Sequence, residues 1–468
     1  MIGYWKGRNI FLALEAEEGY ALASVLYLVT ILSLLAASIV AIKYYANQGA
    51  LLEIAKVRCD YAAESGIARA LSSMSPKEAL SSVIENQKIL NFHFEDECEA
   101  AVEVNRWGAY LRFKSLGNYG KLTSRRSALV GELPGAPYKN ALVFASSGHQ
   151  LILAGSSSIK GSVVTGLPGT ATGNLKDRTS PIKVPIEGNV RKEALPLLPE
   201  FDVTSIRGEL NEFDKMLSDP SDEVRSGRRR IVVDKVGNYS LSEITDSIDQ
   251  ILLNGSITLT GKISRKDAPL YIVARGMVIL ASGIQLNGLI SVFSSSTIEI
   301  EKGAIIDQAI CYSRKSIRLQ EGADISCQCF APSITLETRS IARYPSILLS
   351  LTETDHDSAK QEIILKGGAK AEGSVAILSA GNIFQPEPLL SLNEGSRVTG
   401  AVYSDRKMTL DGVVEGTVLT KDFYFYEAPT MYLGWLRSGV IDRTALPSGF
   451  LCPSGGSSNS ELAVLDWL

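Results

Sequence analysis

Residues 278–330 read VILASGIQLNGLISVFSSSTIEIEKGAIIDQAICYSRKSIRLQEGADISCQCF. Aligned on Gly283, Gly303 and Gly322, the stretch repeats itself every 20 or 19 residues. Leu280, Ile300 and Leu319 stand three residues before these glycines, and Val278, Ile298 and Ile317 five before. Leu286, Ile306 and Ile325 follow three after, and Ile290, Ile310 and Cys329 seven after. Every column is apolar. Self-similarity at such a period is the mark of a repeat architecture. Alternate residues of a strand face the same way, and one short turn cannot bury its own apolar face, so turns stack and like residues form columns. The pattern predicts a parallel β-helix (a solenoid) of ~20 residues per turn, with glycine where the chain bends tightly. Gly368 (with Ile363, Leu365, Val375) and Gly395 (with Leu390, Leu392, Val398, Val402) fit the same template, and Gly155 and Gly412 a slipped one. A leucine-rich repeat needs an asparagine column and helical outer segments that are missing here, and a β-sandwich would not hold one register over successive turns.

Working outward, 251–420 reads as the β-helix and 141–166 as a first set of solenoid-like strands with the same glycine rhythm. Between them, 167–250 is a loop-rich insert punctuated by Pro168, Pro181, Pro185, Pro196 and Pro199, with one helix from Thr204 to Leu217 capped by Thr204 or Ser205. Arg225 to Arg230 reads as a solvated basic loop. Asp355, His356 and Asp357, in the loop from Thr352 to Lys360, read as a surface turn rather than a metal site. From Lys421 the chain turns aromatic (Phe423 to Tyr426, Tyr432, Trp435). The segment 421–468 is therefore expected to cap the open end of the coil and finish in a flexible Gly/Ser-rich tail, with Val464 to Leu468 a short docking segment. Cys329 falls in an inward column. Cys311 and Cys327 lie where a pairing across turns is open.

Toward the N-terminus, Tyr20 to Ile42 (YALASVLYLVTILSLLAASIVAI) holds no charged residue. About 20 apolar residues cross the hydrocarbon core as a helix, and Ser24, Thr30, Ser33 and Ser38 can return their hydroxyls to the helix backbone. The run is longer than the apolar part of a signal peptide. Lys6 and Arg8 precede it and Lys43, Lys56 and Arg58 follow, a near-even charge balance across the span. From Tyr44 to Met74 small and apolar residues recur at helical spacing, until Ser75-Pro76 ends the helix. Residues 98–133 then alternate in short runs around Gly117, Asn118 and Gly120, the pattern of a small β-meander.

Gly19-Tyr20 before the apolar run, and Ala62-Ala63-Glu64-Ser65-Gly66 some forty residues later, resemble the N-terminus of type IV pilin-like proteins, nearest the minor pilins and minor pseudopilins. The resemblance covers residues 15–75 or so. It implies cleavage by a prepilin peptidase between Gly19 and Tyr20, with the anchor helix bundled among other pilin-like or secretion-assembly subunits. Glu18 stands where the family usually has a basic residue, Ser24 where major pilins have Glu, and Tyr20 where Phe, Met or a small apolar residue is usual. The glycine and Val/Ile repeat downstream resembles bactofilins, which implies a polymerising scaffold as one alternative.

Composition narrows the function. The 468 residues carry a net charge of -4 and 7% aromatic residues, so no basic face for nucleic acid is expected. Six cysteines form no CxxC pair and the three histidines lie far apart, so neither zinc nor another metal is expected. No phosphate-binding glycine loop, GxSxG or HExxH occurs, and the outward Asp307, Arg314, Arg318 and Asp324 make no evident acid pair, so no cofactor and no enzyme activity are expected. The expected chain is mainly β. It starts with a leader (1–19), a transmembrane helix with amphipathic extension (20–75) and a small α+β pilin-like region (76–140), and continues as the β-helix. It would sit in a bacterial inner membrane as a single-pass structural protein, N-terminus cytoplasmic and the bulk outside, with lipid and assembly subunits as partners. A β-helix that binds or cleaves extracellular polysaccharide is the other alternative.

Overall fold

The structure, a computed structural model, describes residues 8–84, 89–174, 185–199, 201, 203–218, 229–234, 237–351, 360–378, 390–453 and 460–468. The basic run up to Arg228 and the Asp355–His356–Asp357 trio lie outside the described residues. The chain divides into two units: 1–66 with 91–101 and 116–125, and 67–90 with 102–115 and 126–468.

The first unit is organised by helix α1, Arg8–Ser73. One stretch of it is long and apolar enough to cross a membrane. The side chains from Tyr20 to Tyr45 are exposed, and Ser24, Thr30, Ser33 and Ser38 each donate to the carbonyl four residues back, so every serine and threonine hydroxyl on this surface is satisfied by the helix itself. Burial begins at Cys59, Ala62 and Ala63. There the helix meets the end of a hairpin. A Cβ on Gly117 would lie 2.3 Å from the Cys59 carbonyl oxygen and 2.6 Å from the Ala63 nitrogen, so only glycine lets the two backbones approach this closely. Asp60 accepts a hydrogen bond from Ser124, and the Arg58 guanidinium lies over the Tyr119 ring, 5.1 Å from its centroid, while donating to its hydroxyl.

In the second unit α2, Pro76–Ile84, begins with Ser75 and Glu78 capping each other's backbone N–H, at 3.3 and 2.9 Å. Pro76 at the first helical position suits it: α1 ends at Ser73, as foreseen at Ser75-Pro76, and a second helix starts directly after the break. The rest of the unit is dominated by parallel strands that stack turn on turn. Val278, Ile298 and Ile317 are register partners, as are Leu280, Ile300 and Leu319, and all point into the core. Gly283, Gly303, Gly322, Gly368 and Gly395 turn with φ of 82°, 85°, 72°, 78° and 79°, a region that costs side-chain-bearing residues ~1–2 kcal/mol.

The column seven residues after the glycines does not hold. Ile310 pairs with Ser291 and Gln328, whereas Cys329 pairs with Cys311. The long strands bend through register shifts after Asn287, Asp307 and Ile325, and the extra residues at those corners dephase the repeat. Cys311 and Cys327 are consequently not register partners, and all six cysteines are free thiols.

Order along the coil also differs from order along the chain. The coil starts at Arg230–Val233 and Gly237–Ser240 and climbs to Val413–Glu427. There it receives Leu142–Phe144 and Val440–Asp442, then Val163–Thr165 and Ser158–Lys160, and finally Val190–Lys192 and Ile186–Glu187. The strands of 141–166 thus sit beyond the last turn, not before the first. The aromatic segment is no terminal cap: Phe423 stacks on Phe144, with ring centroids 5.9 Å apart, beneath further turns. The C-terminal strand Leu462–Trp467, which takes in most of the docking segment foreseen at Val464 to Leu468, pairs antiparallel with Leu122–Glu132 and completes a five-stranded sheet with Ile89–His93, Cys98–Trp107 and Tyr110–Tyr119.

One face of the coil is apolar on both sides. Leu252, Val273, Phe293, Tyr312, Phe330 and Leu349 form an outward column in unbroken register, which continues through Ala376, Tyr403, Leu419 and Val143 to Val164. Such two-sided burial is usual for parallel sheets. Ile206, Leu210 and Phe213 of α3, Thr204–Ser218, cover it together with Trp107, Tyr110 and Leu129. The buried Gln328 pins the Trp107–Ala109 turn: its Nε2 donates to the Trp107 carbonyl at 3.0 Å and its Oε1 accepts from the Ala109 N–H at 2.8 Å. Gly108, at φ +61°, leaves room for that amide.

Candidate functional site

Three places carry chemistry beyond packing. The first is the exposed span of α1. Gly19 lies inside the helix, and Tyr20, directly after it, is 80% exposed. Ala36, Ala37, Val40, Ala41, Tyr44 and Tyr45 form a shallow apolar concavity along one side. Of the motif further on, Ala62, Ala63 and Gly66 are buried, Glu64 is half-buried and Ser65 is exposed. Small residues therefore sit where the backbone must be approached, and polar ones where water remains.

The second is a groove of about 580 Å³ on the coil, lined among the described residues by strands and their turns. Asn287, Asp307 and Ser326 line it from three successive turns in direct register. Lys302 and the Asp324–Arg343 ion pair form its sides, with Ile305 half exposed between them. Partial burial, with Asp466 close by, holds the Asp307 carboxyl above the usual aspartate range. Next to it Gln308 adopts φ +59°, the left-handed conformation that Gly288 takes one turn earlier. The Trp107 indole N–H donates to the Gln308 carbonyl at 3.0 Å, and the Gln308 amide donates to Asp466, which holds the strained residue in place. The two carboxylates named from sequence, Asp307 and Asp324, do share this groove. Arg314 and Arg318 do not join them: Arg314 pairs with Asp214 and Arg318 with Glu337.

The third is a constellation that sequence reading missed. The His149 Nδ1 lies 2.5 Å from an oxygen of the buried Asp422 and 3.4 Å from the Ser146 hydroxyl. Burial raises the Asp422 carboxyl, and the adjacent imidazole partly offsets that rise. A serine hydrolase needs serine on one ring nitrogen and aspartate on the other. Here both approach the same nitrogen, so the ring cannot relay a proton between them. His149 and Asp422 are 273 residues apart in sequence, and no local motif announces them.

No family model matches the chain, and no curated protein matches it. Among the solved structures similar to it are two of low identity. The competence-associated pilin ComZ from Thermus thermophilus is 12% identical, with 89% of this chain and 97% of that one covered and a TM-score of 0.25. An ice binding protein from an Antarctic bacterium of the Flavobacteriaceae is 9% identical, with 67% and 98% covered and a TM-score of 0.17. At these scores neither likeness decides fold or function.

Proposed function

We propose that this chain is a non-enzymatic structural protein of the bacterial envelope, a minor pilin-like or pseudopilin-like subunit that holds a β-helix outside the inner membrane with its N-terminus in the cytoplasm. The observation that carries this reading is α1 itself. One continuous helix is bare and apolar where lipid or sister helices would cover it, and closely packed on a β-hairpin through Ala63 and Gly117 where the chain leaves the membrane. With no water in the bilayer core, a helix that satisfies its own backbone is the economical way across. Lipid and other pilin-like or secretion-assembly subunits are the partners this reading implies, and nucleic acid is not among them.

The bactofilin-like reading is weaker. The coil's end strands Ile186–Glu187 and Val190–Lys192 carry exposed Glu187, Arg191 and Lys192, charges that blunt edge-to-edge growth. Co-expression with a prepilin peptidase tests the proposal. Mass spectrometry should find a mature chain beginning at Tyr20. A chain that stays uncut, with its original Met1, would reduce α1 to a plain anchor.

A further inference from the structure

We propose that the groove around Asp307 is a binding site for a neutral glycan strand lying along the coil axis. Asn287, Asp307 and Ser326 present an amide, a carboxylate and a hydroxyl from three turns in register, about 4.8 Å apart as neighbouring strands are. That step is close to the length of one sugar ring. None of the three side chains has a hydrogen-bonding or ion-pair partner among the described residues, so their donors and acceptors are available to vicinal hydroxyls.

The charges of the lining cancel. Lys302 and Arg343 offset Asp307 and Asp324, and Arg343 is already engaged by Asp324. A neutral polyol therefore suits the groove better than an acidic polymer. The half-exposed Ile305 gives a sugar's C–H face an apolar rest. The polar column continues to Ser264 one turn earlier, so the site extends past a single sugar unit. Parallel turns hold all these groups in fixed register, so little ordering is needed on binding.

The inference does not depend on leader processing, so peptidase cleavage and glycan binding can fail separately. The experiment uses the full chain in a detergent without a sugar head group. Saturation-transfer NMR and calorimetry are run with a soluble neutral β-linked glucan oligosaccharide, and with an oligouronate of similar length for comparison. The expected result is binding of the glucan, with Asp307→Ala and Asn287→Ala each weakening it about tenfold and Thr335→Ala, on another strand of the coil, leaving it unchanged. No transfer to the glucan, equal affinity in the groove variants, or preference for the oligouronate would each overturn the proposal.

Discussion

Glu209→Gln should abolish a pH dependence built into the covered face of the coil. Glu209 lies in α3, where it accepts a hydrogen bond from the Tyr312 hydroxyl, and the Arg106 charge favours its ionised form. Burial dominates all the same and raises its carboxyl from 4.5 to about 7. Each pKa unit corresponds to 1.36 kcal/mol, so the docked helix favours the protonated acid by about 3 kcal/mol. The sign follows from proton linkage: the docked state binds the proton more tightly than the open state. Stability is therefore full below about pH 4.5 and is lost as pH rises to about 7. Glutamine stays neutral throughout and keeps the shape. Amide hydrogen exchange across α3, corrected for intrinsic rates, reads local opening without requiring the whole chain to unfold in two states. Wild type should open about a hundredfold more often at pH 8 than at pH 5, and Glu209→Gln should show no such change. Equal pH dependence in both proteins would refute the argument, because the titrating group would lie elsewhere.

Three more tests follow from packing. Gly117→Ala places a methyl against two backbone atoms of α1 that cannot rotate away, so it should destabilise the helix–hairpin contact by about 1–3 kcal/mol, read as faster exchange over residues 57–66. Gln328→Ala strands the Trp107 carbonyl and the Ala109 N–H in a dry joint, at about 1–3 kcal/mol for each group left unmet, and should lower the thermal midpoint well beyond a Gln320→Ala control, which removes a single half-buried hydrogen bond to Glu299. Only Cys98 is partly exposed among the six thiols, and burial pushes Cys452 up to about 12. A bulky maleimide should therefore label Cys98 first in the native protein and all six after denaturation; rapid labelling at Cys311, Cys327 or Cys329 would mean that the core opens.

Legibility in the sequence tracked how local each feature was. The inward columns were readable because each depends on a spacing of a few residues around a glycine. The seventh-position column failed because the corners differ in length by one residue, and a one-residue slip exchanges the two faces of a strand. The capping pair at Ser75 and Glu78 is legible as Ser-x-x-Glu with proline directly after the serine. Asp307 and Asp324 are legible as outward residues, but their common groove is not, since the corner shift decides which outward residues align. Nothing local linked Ser146 and His149 to Asp422.

The sequence by itself determined the apolar span, the helix that continues from it, and the stacked turns with their inward residues. Each is set by periodicity, which neighbouring residues alone create. Only the tertiary structure decided that the strands Leu142–Phe144, Val163–Thr165 and Val190–Lys192 close the far end of the coil, that α3 and the Trp107 turn dry one of its faces, and that the C-terminal strand completes the sheet. The reason is physical. Any exposed parallel strand offers the same row of backbone donors and acceptors, so which segment pairs with it depends on side-chain fit and chain closure over hundreds of residues, which no short pattern records.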